Sequence, residues 1–148
     1  MPSGMTDADG HPANAVFGFV EFLYQLLSRR NPALIACAYD ESLQTSARND
    51  IYSLYKANRC AAPAELKYQF KLCQAFSRAI GIQTLASGTL EADDIIGTLA
   101  GIAREQNTHS VIVTADKDLC QFVGDGDAVW DFAPVSYTHL TLPTICSV

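Results

Sequence analysis

Hydrophobic residues recur at Val16, Phe19, Val20, Leu23, Leu26 and Leu27, the i, i+3, i+4 spacing of an amphipathic helix over Asn14 to Arg29. Arg29 and Arg30 stand at its C-terminal end, where cations complement the helix dipole. After Pro32 the period vanishes. Leu34 to Tyr39 (LIACAY) is a near-continuous apolar run of strand length, as expected of a strand covered on both faces, and it ends in Asp40. Asn49 to Arg59 is polar with Ile51, Tyr52, Leu54 and Tyr55 spaced for a helix. Pro63 opens another helix that runs through Ala79 and stops at Gly81. The pattern then predicts a short strand at Ile82 to Ala86 and a helix from Leu90 to Gln106 with Ile95, Ile96, Leu99 and Ile102 on its apolar face. A strand at Ser110 to Thr114 (SVIVT), a short helix at Asp118 to Val123, a turn at Gly124 to Asp127 and a strand at Ala128 to Phe132 (AVWDF) complete the series.

Strands that alternate with helices imply an α/β domain, a doubly wound parallel sheet with helices on both faces. In such sheets sites form beyond the carboxyl ends of the strands. The acidic residues follow that rule. Asp40 ends one strand, Asp116 and Asp118 follow another, and Glu91, Asp93 and Asp94 follow a third across a short turn.

Those carboxylates change how the composition reads. At 148 residues and 49% hydrophobic the chain is one domain's worth with a real core, but its net charge of −6 argues against a nucleic-acid partner. The objection weakens because Asp40, Glu91, Asp93, Asp94, Asp116 and Asp118 equal the whole acidic excess, and two bound divalent ions would cancel four of those charges. Hard oxygen ligands in this number suit Mg²⁺ or Mn²⁺ better than zinc. The five cysteines are odd in number and show no CxxC or Cys/His spacing, which favours a reduced protein in which they serve as small core hydrophobes. The first ten residues carry no signal-peptide pattern, and the apolar stretch Ala13 to Leu27 is interrupted by Glu21 and Gln25 and is too short to span a bilayer. A cytoplasmic monomer is the expectation. The C-terminal VSYTHLTLPTICSV has no charged residue and breaks every preceding period, and it resembles the translated read-through of a sequencing-library adapter. The native domain is therefore expected at residues 1–133, with 134–148 an artefactual tail.

Acidic residues in a helix's first turn commonly do no more than complement its dipole. Asp93 and Asp94, however, project about 100° apart, so one can ligate directly while its neighbour reaches a second ion or its water. Asp116 and Asp118 can project similarly from a strand-to-helix turn. In ARNDIYSLYKANR, Lys56 and Arg59 share a helical face and Arg48 precedes them by about two turns, so the three can hold successive phosphates. The plainer alternative is a solvated face. His11 and His109 have no matching ligands nearby in sequence and read as solvated loop residues.

The order GHPANAVFGF, AYD, ARNDIYSLYKANR, LEADDIIGTLA, TADKDL resembles the 5′ to 3′ exonuclease and flap endonuclease family, which includes bacterial stand-alone exonucleases and the nuclease domain of DNA polymerase I. The resemblance covers about residues 9 to 133. It implies a PIN-like (resolvase-like) α/β nuclease with two Mg²⁺ or Mn²⁺ ions that hydrolyses DNA at 5′ ends or 5′ flaps. Asp40, Glu91, Asp93, Asp94, Asp116 and Asp118 match the family's metal-site carboxylates. Lys56 and Arg59 match basic residues that contact the scissile and neighbouring phosphates, with Arg48 also on the DNA side. The family's first apolar strand, with its own metal-binding aspartate, and its C-terminal helical DNA-gripping region have no counterpart here, and Ala47 stands where a Phe is usual. The expectation is therefore a partial nuclease domain. The alternatives are a non-catalytic DNA-binding remnant, or a phosphatase or receiver-like domain, which would need an aspartate at the end of a first strand.

Overall fold

The computed structural model describes residues 5–40 and 62–131. The chain divides into two compact units, Met1–Thr89 and Leu90–Val148.

In the first unit α1 (Asn14–Arg30) buries Leu23 and Leu26 and ends at Asn31, whose left-handed backbone (φ 41°, ψ 57°) lets its N–H donate to the Leu27 carbonyl. Its N-cap, Ala13, offers no side-chain cap. The cap comes from elsewhere: the Ala15 N–H donates to Gln69 Oε1 at 2.8 Å. Gln69 sits on α2 (Ala64–Ala79), which packs against α1 and buries Gln69, Cys73 and Ser77, a strict i, i+4, i+8 stripe. Strand β1 (Ala36–Asp40) pairs in parallel with β2 (Gln83–Ser87), Ala36 opposite Gln83 and Asp40 opposite Ser87. The strand begins two residues later than the apolar run LIACAY because residues 33–34 form a bend after Pro32, which leaves Leu34 87% exposed.

The second unit contains α3 (Ala92–Glu105), β3 (Val111–Val113), a 3₁₀ helix (Lys117–Phe122) and β4 (Ala128–Trp130). Strand β3 pairs in parallel with β4. Its core is Ala100, Ile112 and Leu119, with Ile96, Phe122, Val123 and Val129 packed against them. The helix expected from Leu90 starts at Ala92 because Glu91 is its N-cap, and Asp94 Oδ2 accepts from the Glu91 N–H at 3.2 Å. At its far end Asn107 turns the chain with φ 55°. The turn before β4 needs a glycine twice over, since Gly126 has φ +85° and a Cβ there would clash with Nδ1 and Cε1 of His109.

The expected α/β class, with helices between parallel strands, is what the structure has. Each unit carries a two-stranded parallel sheet. The expected helix over Asn49 to Arg59 and the terminal tail lie outside the described residues. No helix among the described residues is long and apolar enough to cross a membrane.

Candidate functional site

Asp40 occupies the carboxyl end of β1, exposed and in register with Ser87 at the carboxyl end of β2. This is the edge at which a parallel sheet presents its ligands. The other carboxylates belong to the second unit and fall into two sets.

The first set opens α3. Glu91 at the N-cap is 3% exposed, and Asp93 and Asp94 are half-buried in the first turn. Unsatisfied backbone N–H groups at a helix N-terminus favour negative charge, so three carboxylates are tolerable there. The second set follows β3. Asp116 and Asp118 are exposed, and Asp116 caps the 3₁₀ helix by accepting the Asp118 N–H on Oδ1 at 2.9 Å, while its own N–H donates to Thr114 Oγ1 at 3.0 Å.

One core holds the two sets. Leu119, next to Asp118, is buried with Ala100 of α3, and Ile96, two residues beyond Asp94, packs on the same cluster. The approach of α3 to the 3₁₀ helix is close: a Cβ at Gly97 would stand 2.7 Å from Cε1 of Phe122. Gly97 is thus a residue that sequence reasoning passed over. An isolated glycine inside a helical pattern was the available signal, but nothing local identifies the ring opposite.

The donor set is carboxylate oxygen throughout, the kind of set that suits hard divalent cations better than zinc. The described residues do not draw three of these five carboxylates to within 4.8 Å of one another; the group that does satisfy that distance is Asp7, Asp9 and His11. His11 is an exposed loop residue, as expected from sequence, and stands beside Asp7 and Asp9. Asp7 Oδ1 accepts the N–H groups of Asp9 and His11, and these bonds hold its carboxyl below the usual range against the opposing effect of desolvation. The ring of His11 also lies 6.4 Å from that of Tyr68. The signal was the D-x-D-x-H spacing of residues 7–11, which an intervening turn folds onto itself.

Arg48, Lys56 and Arg59 lie outside the described residues. The cysteines at β1 and α2 behave as packing groups. Burial pushes the thiols of Cys37 and Cys73 up, and it raises the Tyr39 hydroxyl to about 12, against the hydrogen bond it shares with Ser77 Oγ at 3.0 Å. These groups stay protonated near neutral pH, in keeping with a packing role.

At the end of unit two away from the carboxylates in sequence, Asp127 has a fully buried side chain that accepts from the N–H of Ser110 (2.7 Å), the N–H of Gly124 (3.1 Å) and the guanidinium of Arg104. Burial alone would raise its carboxyl; these three donors reverse the effect and hold it below the ordinary value. Arg104 also donates to the Phe122 carbonyl at 2.8 Å, so the network fixes the end of the 3₁₀ helix that carries Asp118.

Comparison with known proteins adds the lineage. The family model for the 5′-3′ exonuclease N-terminal resolvase-like domain matches residues 1–144, a span that runs into the segment expected to be a tail. The chain is 37% identical to DNA polymerase I of Chloroflexus aurantiacus over 83% of its own length and 13% of that protein. It is 37% identical to a 5′-3′ exonuclease of Bacillus subtilis, covering 82% of this chain and 40% of the relative. A 5′-3′ exonuclease of Mycobacterium tuberculosis is 33% identical across 95% of this chain and 46% of the relative. The chain thus spans less than half the length of each of these relatives. With the carboxylates mounted on α3 and behind β3 as described, and the family match running nearly end to end, this chain belongs to the 5′-3′ exonuclease family, as its N-terminal resolvase-like domain.

Proposed function

We propose that the chain is the metal-binding part of a 5′-3′ exonuclease or flap endonuclease that hydrolyses DNA phosphodiester bonds at 5′ ends. One observation carries this reading: Glu91, Asp93 and Asp94 on α3 and Asp116 and Asp118 on the 3₁₀ segment are mounted on two elements that share a single core, in a chain of this family. With Asp40, these are the residues that would hold two divalent ions. When bound, such ions supply positive charge for the developing anionic phosphate and make a water more acidic. The carboxylates set how many ions the site takes and where. Lys56, with Arg48 and Arg59, would hold the phosphates flanking the scissile bond, and Lys56 would offset charge as it develops on the phosphoryl oxygens. Residues 1–133 would be part of such a nuclease, in the cytoplasm.

The second reading, a DNA-binding remnant without cleavage, is favoured by the absence of any three of the unit-two carboxylates within 4.8 Å among the described residues. Incubation of the chain with a labelled 5′-flap duplex separates the two. Weak cleavage that needs Mg²⁺ or Mn²⁺, stops with EDTA and falls at least about 100-fold in Asp94→Ala is the expected result, since losing a group that acts in the transition state costs about 2.7 kcal/mol or more. DNA binding with no metal-dependent product would replace the nuclease with the remnant.

A further inference from the structure

Helix α2 carries Lys67, Lys71 and Arg78 at positions i, i+4 and i+11. Eleven residues make about three turns, so the three fall on one stripe. All are exposed. The helix cannot roll to hide them. Gln69, Cys73 and Ser77 are buried on the far side, where Gln69 is tied to Ala15 and Ser77 to Tyr39.

Two features set the stripe apart from an ordinary solvated face. The chain as a whole has 16 acidic and 10 basic residues, yet the acidic residue of α2, Glu65, projects nearly opposite the stripe. None of the three cations makes an ion pair among the described residues, whereas Arg104 is committed to Asp127. Tyr68 (51% exposed) and Phe70 (48% exposed) flank the stripe on its two sides. At about 1.5 Å of rise per residue the stripe is roughly 16 Å long. A DNA strand advances about 3.4 Å along the axis per phosphate, so that length spans about five phosphates.

We propose that the Lys67–Lys71–Arg78 stripe of α2 is a second DNA contact, a sequence-independent track for backbone phosphates separate from Arg48, Lys56 and Arg59. The inference rests on the nuclease reading for its partner. Charge complementarity selects the occupant: a cationic row with no ion pair among the described residues, on an acidic protein, recruits a polyanion, and the flanking aromatic rings are tolerant of any base.

The test is equilibrium binding of a labelled 5′-flap duplex to the 148-residue chain in EDTA, followed as a function of salt. Each of Lys67→Gln, Lys71→Gln and Arg78→Gln should lower the slope of log affinity against log salt by roughly 0.9, and the triple variant by roughly 2.7. Gln retains good helix propensity, so the variants keep the fold, which their circular dichroism checks. In the unaltered protein, bound DNA should protect Lys67 and Lys71 from acetylation. Wild-type binding with the slope unchanged in the triple variant and no protection overturns the track while leaving the nuclease reading intact. An equal slope change in Arg29→Gln would show a general charge effect and also overturn it. A wild-type chain that binds no DNA overturns both readings together.

Discussion

Gly97 and Asp127 act on the site through single atoms. A methyl at Gly97 meets the Phe122 ring at 2.7 Å, so Gly97→Ala must separate α3 from the 3₁₀ helix. The expected loss is about 1–3 kcal/mol of stability by urea unfolding, the usual cost of overpacking. Adding Phe122→Leu to Gly97→Ala should recover part of it. No recovery would mean the ring is not the obstacle. Asp127 makes a different prediction because its folded carboxyl is held below its ordinary value. Such a group contributes stability that is fully present above the unfolded range near pH 4 and is lost as pH falls through the lowered folded value. Asp127→Asn should therefore cost about 1.5–3 kcal/mol at pH 7. The gap between variant and wild type should narrow steadily from pH 5 to pH 3. Parallel pH profiles would contradict the assignment. Neither residue was legible beforehand, since Phe122 is far from Gly97 in sequence and Asp127 reads only as the end of a turn.

Elements were more legible than their caps. The 3.6-residue period placed α1 and α3, Pro63 and Gly81 bracketed α2, and β-branched or apolar runs placed the strands, because all these signals are local. Boundaries moved where a bend or a cap intervened, at Leu34 and at Glu91. The N-terminus of α1 shows why. Ala13 cannot cap it, and the substitute is Gln69, 54 residues away. No local pattern reports such a partner. Gln69→Ala should cost about 1 kcal/mol, the typical worth of an N-cap, with amide exchange rising first at residues 14–17. Unchanged exchange at the start of α1 would show that the bond to Ala15 N is not what holds this helix end.

At the scale of the whole molecule, the alternation of elements disclosed the α/β class, and the ordered series from GHPANAVFGF to TADKDL carried the family. What stayed hidden was the exact partner and register of each strand, β1 with β2 and β3 with β4, because sheet partners are chosen by tertiary packing. The metal assignment also meets a competitor that the sequence reading did not weigh, the Asp7, Asp9 and His11 group. Titration of the 148-residue chain with Mn²⁺, read by the loss of the free-ion paramagnetic resonance signal, decides between them. Wild type and Asp9→Ala should bind Mn²⁺ alike, and Asp94→Ala and Asp116→Ala should each lose a site. Equal binding by wild type, Asp94→Ala and Asp116→Ala, with loss in Asp9→Ala, would contradict the carboxylate centre on α3 and the 3₁₀ helix.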